Sequence, residues 1–248
     1  RCVDGSWRPS RPEGLARVLA KAGYGARPRT EAMVRAGRVT VDGAVEHDPG
    51  RPVDRSNEVR LDGEILREAI RRYLLLHKPA GVACRRRHPT GRWIGDLMPA
   101  DSPGLELVGR IDDRSRGLLL LSNDLDWNTR VAQNQQLERR YEVVVSGVVS
   151  NVELDVVRAG LTIPGMGPFR PRRLSILSTD AELTRVAVAV HGGHHRQVRA
   201  VFTMLRHEVL SSVSVGLGPV DLDRLQPGAI RDLTPNEIRQ LGEPRRRE

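Results

Sequence analysis

The chain has 248 residues, which is long enough to bury a core in one large domain or in a small domain followed by a larger one. Its formal net charge of +9 comes mostly from arginine, whose planar guanidinium suits phosphate, so a polyanionic partner is expected. An anionic membrane is disfavoured, because the sequence has neither a basic amphipathic segment with an aromatic face nor an apolar run of transmembrane length. The two cysteines, Cys2 and Cys84, exclude a disulfide framework and a cysteine-rich zinc site, and we expect a cytoplasmic protein.

The first predicted elements are two short helices and a hairpin. Residues 14–23 place apolar side chains at helical spacing and end at Gly23, and a second helix runs from Pro28 to a stop at Gly37. Residues 38–50 then alternate and turn at Asp42-Gly43, which is a strong hairpin signal. Cations dominate this stretch, where Glu31 stands among Arg17, Lys21, Arg27, Arg29, Arg35 and Arg38. A surface that is merely solvated usually mixes both signs, so we interpret these cations as contacts to nucleic acid.

The same stretch resembles the small RNA-binding module shared with small-subunit ribosomal protein four. The resemblance rests on a helix that ends in Ala-Gly, an arginine-rich second helix, and AGRVTVDG at residues 36–43. It implies a small RNA-binding domain over residues 14–62, after an expected flexible tail at residues 1–13. Residues 63–72 are polar and mixed in charge, so they are predicted to form a linker between domains.

From Tyr73 onwards the pattern changes to alternating strands and helices. YLLLHKPAGV predicts a buried strand before a proline-glycine turn, and the basic loop that follows offers phosphate contacts at Arg85, Arg86, Arg87 and Arg92. Further strands are predicted at LLLLS, YEVVVSG, RLSIL, TRVAVAV, VLSSVSV and PVDLD, with helices near 126–134, 151–159 and 195–206. Thr234 and Glu237 form a capping box for a last short helix. The expected class is α+β, and the sequence lacks the glycine loop of a nucleotide cofactor site.

The segment VGRIDDRSRGLLLLSND, residues 108–124, contains the strongest candidate for chemistry. It places Asp112 and Asp113 directly before an apolar run and among Arg110, Arg114 and Arg116. These cations keep the Asp112 carboxylate ionised near neutral pH, as a nucleophile requires. Taken alone, the segment fits a solvated charge cluster better, so other parts of the chain decide its interpretation.

Three further segments add candidate groups. Tyr141 follows Arg139 and Arg140 into a strand, so it is either a core residue or a platform on which an RNA base stacks. In GGHHRQVRAVFTML, residues 192–205, Arg196 and Arg199 lie three residues apart on one helix face, where one arginine can point at a carboxylate. Lys78 of HKPAGV leaves a strand for a turn and is a weaker candidate for RNA contact. The histidines lack partner ligands at a recognised spacing, so we interpret them as loop residues near RNA phosphate: His191, His194 and His195.

Together and in this order, the segments resemble the bacterial ribosomal-RNA pseudouridine synthases of the RsuA type. The motifs are HKPAGV, GRIDDRSRGLLLLSND, RRYEV, GHHRQVRAVF and LGPVDLDRLQPGAIRDLTPNE, and with the small domain they cover residues 14–237. The resemblance implies a catalytic domain over residues 73–241, with a mixed, largely antiparallel sheet flanked by helices, and a basic tail at residues 242–248. It implies isomerisation of uridine to pseudouridine in ribosomal RNA, by preference that of the large subunit, with no metal, nucleotide or redox cofactor. The uridine would be flipped out of its helix.

The family's residue roles pass to three positions of this sequence. The resemblance implies that Asp112 is the catalytic aspartate, that Tyr141 stacks on the target base and that Arg199 pairs with the aspartate, while Asp113 occupies a variable position. Attack on the ribose and removal of a proton remain alternatives, since both use an ionised carboxylate. The expected partner is ribosomal RNA, free or in a pre-ribosomal particle, and the protein is expected to be a monomer. The alternative is a catalytically inactive RNA-binding ribosome-assembly factor of the same fold; a phosphodiester-cleaving enzyme is disfavoured, because the sequence offers no metal-binding carboxylate cluster.

Overall fold

The computed structural model describes residues 9, 11–67, 70–84, 91–99, 102, 104–109, 115–192 and 195–242. Backbone contacts divide the chain into two compact units. The first unit consists of Arg1–Tyr73, Met98–Glu106 and Leu121–Asn128, and the second of Leu74–Leu97, Leu107–Leu120 and Thr129–Glu248. Two segments from the later part of the chain therefore pack with the N-terminal residues.

The N-terminal part of the first unit contains two helices and several short strands. They are β1 (Glu13–Gly14), α1 (Leu15–Lys21), α2 (Arg27–Arg35), β2 (Val39–Val41), β3 (Ala44–Glu46), β4 (Pro52–Val53), β5 (Val59–Leu61) and β6 (Glu64–Ile65). Strands β3, β2, β5 and β6 form an antiparallel sheet in that order, and β1 pairs with β4. Leu15, Val18 and Leu19 of α1 pack with Val34 of α2 and Val39 of β2 in one buried cluster. The two helices and the hairpin predicted from the sequence are present.

Two Asp-Gly turns shape this small sheet. Asp42 and Gly43 have φ angles of 53° and 84°, and Asp62 and Gly63 have φ angles of 51° and 85°. Positive φ at both central residues is the type I′ geometry, which matches the twist of paired strands. The first turn is the predicted one. The second turn folds β6 onto β5, so the segment predicted as a linker begins inside the sheet, and the Asp62-Gly63 pair was the signal for it.

The remaining elements alternate strands with helices. In chain order they are β7 (Tyr73–Lys78), β8 (Glu106–Val108), β9 (Arg116–Ser122), α3 (Leu125–Gln133), β10 (Glu138–Ser146), α4 (Asn151–Ala159), β11 (Leu161–Ile163), β12 (Gly167–Phe169), β13 (Arg173–Thr179), β14 (Leu183–His191), α5 (His195–Met204), β15 (Val209–Leu217), β16 (Val220–Asp221), β17 (Ile230–Asp232) and α6 (Pro235–Gly242). A short 3₁₀-helix covers Ile94–Leu97. The strands and helices predicted from periodicity in this part of the chain are present within one to three residues of their expected ends.

Most of these strands join one mixed sheet, in the order β13-β14-β10-β15-β9-β7-β17. Two short strands pair at its margins, β8 with β9 and β16 with β15. The pairs β13·β14, β14·β10, β10·β15 and β7·β17 are antiparallel, whereas β9 runs parallel to β15. The predicted class, α+β with a mixed and largely antiparallel sheet, is confirmed.

Alternation along β10 decides which face of the sheet is buried, because successive side chains of a strand point to opposite faces. Tyr141, Val143 and Val145 point to one face and pack with Leu154 of α4 and Phe202 of α5 in a buried cluster. The residues between them are only partly buried. The helices α4 and α5 therefore cover the face of the sheet towards which Tyr141 points.

Capping boxes start two of the helices. At α4, Glu153 N donates to Ser150 Oγ at 3.3 Å and Ser150 N donates to Glu153 Oε2 at 2.8 Å. At α6, Glu237 N donates to Thr234 Oγ1 at 3.2 Å and Thr234 N donates to Glu237 Oε2 at 2.7 Å, so the predicted cap is present. No helix in the described part of the chain is long and apolar enough to cross a membrane.

Candidate active site

The expected catalytic aspartate belongs to the connection between β8 and β9. Strand β8 ends at Val108 and strand β9 begins at Arg116. Ser115 and Gly117 are described, so they define the position of the chain just after the aspartate. Several predicted site residues lie outside the described residues: Asp112, Asp113, Arg85, Arg86, Arg87, Arg110, Arg114 and His194.

Gly117 brings the beginning of β9 directly against β15. It pairs with Ser214 in the parallel register and has a φ of 119°. A β-carbon at position 117 would lie 2.2 Å from the carbonyl oxygen of Ser214 and 2.5 Å from its nitrogen. Any residue other than glycine would therefore force the two strands apart. Ser214 pairs in turn with Tyr141 of β10, so the register places Gly117, Ser214 and Tyr141 in one row across three strands.

Lys78 does not contact RNA from the surface, and the prediction of that contact is wrong. Its side chain, at the end of β7, is 0% exposed, so an RNA phosphate does not reach it. Its Nζ donates hydrogen bonds to the carbonyl oxygens of Ser115 at 2.9 Å and Pro79 at 3.1 Å. A buried ammonium group requires such acceptors, because burial without them is very costly. Lys78 instead holds the chain at Ser115, three residues after Asp112.

Tyr141 lies inside the molecule beside α5. Its side chain is 4% exposed and belongs to a buried cluster with Val198, Val201 and Phe202. Burial raises the pKa of the Tyr141 hydroxyl above its ordinary value of 10.0, and the positive charge of Arg139 counteracts part of this shift. At neutral pH, Tyr141 is therefore an uncharged aromatic side chain on the face of the sheet that α5 covers.

Arg139 and Arg140 lie on opposite faces of β10, although the sequence suggests a pair of equivalent phosphate contacts. Arg140 crosses over Gly216 of the neighbouring strand, where a β-carbon would lie 2.3 Å from Arg140 Nε. Beyond this glycine, Arg140 Nη2 donates to Asp221 Oδ1 at 2.8 Å and to the carbonyl oxygen of Val220 at 3.2 Å. The register therefore gives Arg140 a set of protein partners, while Arg139 lies on the same face as Tyr141.

Helix α5 carries the two remaining candidate arginines. Arg199 is half-buried, and its Nη2 donates to the carbonyl oxygen of Val209, the first residue of β15, at 3.4 Å. Arg196 lies one turn earlier and is exposed. Because α5 packs on the face to which Tyr141 points, Arg199 and Tyr141 lie on the same side of the sheet.

The histidines near α5 do not form a metal centre in the described part of the chain. His191 is exposed at the end of β14, and His195 begins α5. The described residues contain no group of three or more His, Cys, Asp or Glu side chains that could hold a metal ion.

The cations of the small RNA-binding module are exposed, and acidic residues approach most of them. Glu13 pairs with Arg17 and Lys21, Glu31 with Arg27 and Arg35, and Asp62 with Arg38. Glu13 and Asp62 lie outside the cation-rich stretch between Arg17 and Arg38. The surface of the module is therefore less uniformly positive than the sequence of that stretch suggests. Arg29, Arg92 and Arg116 are exposed as well.

Asp124 is a buried carboxylate for which the sequence analysis proposed no role. Its Oδ2 accepts hydrogen bonds from the Arg71 guanidinium and, at 2.7 Å, from the Tyr73 hydroxyl, while its Oδ1 accepts from Trp127 N at 3.0 Å. Burial raises the pKa of Asp124, but these donors outweigh it and hold the pKa below its ordinary value of 3.8. The signal was visible: an Asp directly before an amphipathic stretch is typical of a helix N-cap, here that of α3.

Comparisons with known proteins identify the family of the chain. A family described as RNA pseudouridylate synthase matches residues 72–204, and a family described as the S4 domain matches residues 13–59. A Bacillus subtilis protein named as an uncharacterized RNA pseudouridine synthase, YtzG, is 31% identical over 93% of this chain and 98% of its own length. The ribosomal large subunit pseudouridine synthase B of the same organism is 29% identical over 92% of this chain and 95% of its own length. A crystal structure of a pseudouridylate synthase, 23% identical, superposes with a TM-score of 0.61 over 92% of this chain and 99% of that one, which supports the fold.

The chain therefore belongs to the RNA pseudouridylate synthase family, and it has an S4 domain near its N-terminus. It is an enzyme that isomerises uridine to pseudouridine. The isomerisation breaks the bond between N1 of the base and C1′ of the ribose and forms a bond between C5 and C1′. A proton leaves C5 and a proton is gained at N1, so the overall reaction adds and removes no atoms.

Proposed function

We propose that the enzyme converts a specific uridine of large-subunit ribosomal RNA to pseudouridine, with Asp112 as the reacting carboxylate. The observation that carries this proposal is the way the chain after Asp112 is held. Lys78 binds the carbonyl oxygen of Ser115, and Gly117 stands in one row with Ser214 and Tyr141. Three residues span at most about 11 Å, so the chain at Asp112 stays within that reach of Ser115.

In this proposal, Asp112 either attacks C1′ of the flipped-out uridine or removes a proton from its ribose. The ring of Tyr141 stacks on the base, and Arg199 pairs with Asp112. The shared side of the sheet supports the grouping of Tyr141 with Arg199. A neighbouring arginine favours the ionised form of a carboxylate, which both chemical alternatives need. Stacking contributes about 1–3 kcal/mol and partly offsets the few kcal/mol that base flipping costs.

The RNA is held by cations of both units. The exposed ones are Arg17, Lys21, Arg27, Arg29, Arg35, Arg38, Arg92, Arg116 and Arg196, and Arg139 is partly buried. Phosphate contacts position RNA without reading its bases, so the target is chosen by the shape of the RNA around it. The name of the Bacillus subtilis ribosomal large subunit pseudouridine synthase B supports the large subunit as the target. We propose that the enzyme acts as a monomer in the cytoplasm, on free ribosomal RNA or on a pre-ribosomal particle.

A matched pair of variants tests the assignment of the carboxylate. Asp112→Asn and Asp113→Asn remove one negative charge each from adjacent positions. We expect Asp112→Asn to abolish pseudouridine formation while RNA binding stays near that of the wild type, and Asp113→Asn to remain active. Pseudouridines are mapped in ribosomal RNA from cells that lack the enzyme and carry either variant or the wild type, and RNA affinity is measured with the purified proteins.

Different results of this experiment would contradict different parts of the proposal. Full turnover by Asp112→Asn would reject Asp112, and the reverse pattern of the two variants would move the role to Asp113. A site that depends on the enzyme only in small-subunit RNA would reject the proposed target and leave the chemistry intact.

A further inference from the structure

The turn between α1 and α2 packs backbone against backbone on residues 104–106, within the first unit. A β-carbon at Gly104 would lie 2.0 Å from the carbonyl oxygen of Gly23 and 2.7 Å from the nitrogen of Gly25. Gly104 also has a φ of 77°, so a glycine is required there on both grounds. The next residue, Leu105, is 4% exposed. The chain at Gly104 is therefore in direct contact with the turn.

Glu106 adds a polar contact to the same turn. Ala26 N donates a hydrogen bond to Glu106 Oε1 at 3.2 Å, across 80 positions of the sequence. Ala26 is the N-cap residue of α2 and its own side chain makes no capping hydrogen bond. The carboxylate of Glu106 thus accepts from the N-cap backbone, as the N3 side chain does in a capping box, and the helix dipole favours its negative charge there.

The arginines that open α2 belong to this turn as well. Arg29 lies across Gly25, where a β-carbon would be 2.7 Å from Arg29 Cδ. Arg27 and Arg29 are exposed in the first turn of the helix, which is where the proposal above places RNA phosphate. A phosphate bound there contacts side chains that directly follow the turn residues Gly25 and Ala26, whose backbone contacts Gly104 and Glu106.

The residues on the other side of the contact lead into the catalytic segment. Glu106 is the first residue of β8, which pairs with β9. Asp112 lies six residues after Glu106, in the connection between these two strands. One side of the contact therefore carries arginines for RNA, and the other side continues into the chain that carries the aspartate.

We propose that Glu106 is a positioning residue that couples RNA bound at the beginning of α2 to the placement of Asp112. Bound RNA fixes the turn at residues 23–26, and the contacts of Gly104 and Glu106 pass this placement to the segment that follows β8. The inference rests on the function proposed above and gives the small RNA-binding module a part in turnover besides affinity. A misplacement of about 1 Å can lower a reaction rate about a hundredfold, so a small displacement of this segment is enough.

The test compares Glu106→Ala, which removes the acceptor, with Glu106→Gln, which keeps an acceptor oxygen. Glu64→Ala is the matched control, because it removes an exposed carboxylate from the same unit. The full-length variants are compared by their single-turnover rate at saturating ribosomal RNA and by their Kd for that RNA. We expect Glu106→Ala to lower the rate about tenfold with little change in Kd, and Glu106→Gln to recover most of the rate. Glu64→Ala is expected to match the wild type.

A second comparison separates positioning from stability. If Arg29 and Glu106 act through the same turn, Arg29→Ala and Glu106→Ala will lower the rate less in combination than the product of their separate effects. A purely structural role predicts a lower melting temperature for Glu106→Ala with an unchanged rate per folded molecule, and that result would overturn the inference, as would fully independent effects. If the wild type forms no pseudouridine in ribosomal RNA, both proposals fail. If the wild type is active and Glu106→Ala is equally fast, the positioning role alone fails.

Discussion

The ammonium group of Lys78 donates hydrogen bonds to two backbone carbonyl oxygens. One belongs to Pro79, directly after β7, and the other belongs to Ser115. Lys78→Met keeps most of the side-chain length but leaves these two oxygens without their donor, at a cost of about 1–3 kcal/mol each. We expect the free energy of unfolding to fall by about 2–4 kcal/mol. Pseudouridine formation per folded molecule should fall as well, because Ser115 lies three residues from Asp112.

Denaturant unfolding and turnover measured on the folded fraction check this expectation. Lys21→Met is the control for stability, since Lys21 is 42% exposed and its ion pair with Glu13 is worth at most about 1 kcal/mol. Equal losses of stability in both variants would contradict the structural role of Lys78.

Arg199 offers a test of electrostatics at the same scale. Arg199→Met preserves the apolar part of the side chain and removes the charge proposed to lie beside Asp112. Without this cation the carboxylate is protonated more readily, so we expect the acidic limb of the pH–rate profile to move to higher pH by about one unit. Arg196→Met, one helical turn away and exposed, should weaken RNA binding and leave that limb in place. The assignment is rejected if both variants keep the wild-type profile.

The sequence predicted some features of the candidate site but not the surroundings of its charged side chains. The motif around Asp112 is the basis on which the catalytic segment is proposed, and the position of Tyr141 in a strand was predictable from its neighbours. The inward direction of Lys78 and the protein partners of Arg140 depend on which strands flank β7 and β10. Charge in a motif suggests a contact to phosphate, but only the three-dimensional arrangement decides whether a protein oxygen is the nearer acceptor.

At the scale of elements, strong local periodicity was sufficient to predict the helices and the long strand β10. Helices α3, α4 and α5 each bury an apolar stripe, and β10 alternates, so both patterns can be read within about ten residues of sequence. Strand order cannot be predicted from local periodicity. Strand β9 pairs with β15, and most of the domain lies between these two strands in the sequence. The parallel pairing of Gly117 with Ser214 has no local signal, and it required the structure.

Glu46 links one of these elements to the pH dependence of stability. It ends β3, and its Oε1 accepts from the backbone N–H groups of His47 and Asp48 at 2.8 Å each. Its Oε2 accepts from Arg51 Nη1 at 2.6 Å. The hydrogen bond from Arg51, together with those from the two backbone amides, lowers the pKa of Glu46 from 4.5 to about 2. A carboxyl with a lowered pKa in the folded state stabilises the fold above its unfolded value, and this contribution is lost as the pH falls from 4.5 towards 2.

We therefore expect Glu46→Gln to be less stable than the wild type at pH 7, with a difference that shrinks below pH 4.5. Urea unfolding of both proteins at several pH values between 7 and 3 measures this difference. Glu64→Gln, in β6 of the same small sheet, is the exposed control and should show no such trend. A difference that grows on acidification would contradict the role given to Glu46.

At the scale of the whole molecule, the two compact units do not follow the linear order of the chain. Met98–Glu106 and Leu121–Asn128 join the N-terminal unit, although a division by sequence assigns them to the catalytic domain. Periodicity cannot detect this, because it reports which face of an element is buried and not what buries it. Removal of residues 1–62 would also uncover the backbone at Gly104, which contacts Gly23 and Gly25. Substitution of charges is the cleaner way to measure what the small module contributes to RNA binding.

Replacement of Arg27, Arg29 and Arg35 by glutamine removes three exposed cations from α2 and leaves its buried side unchanged. Each phosphate contact contributes about 0.7–0.9 to the slope of log affinity against log salt, so the slope should fall by about 2–3 if all three arginines bind RNA. The matched control replaces Arg172, Arg224 and Arg239, which are exposed and have no proposed role in binding. Both triple variants lower the net charge equally, so an effect of overall charge would weaken them alike. A decrease in slope confined to the first variant would identify α2 as a surface that contacts phosphate. Equal decreases in both variants would mean that α2 contributes only through the overall positive charge of the protein.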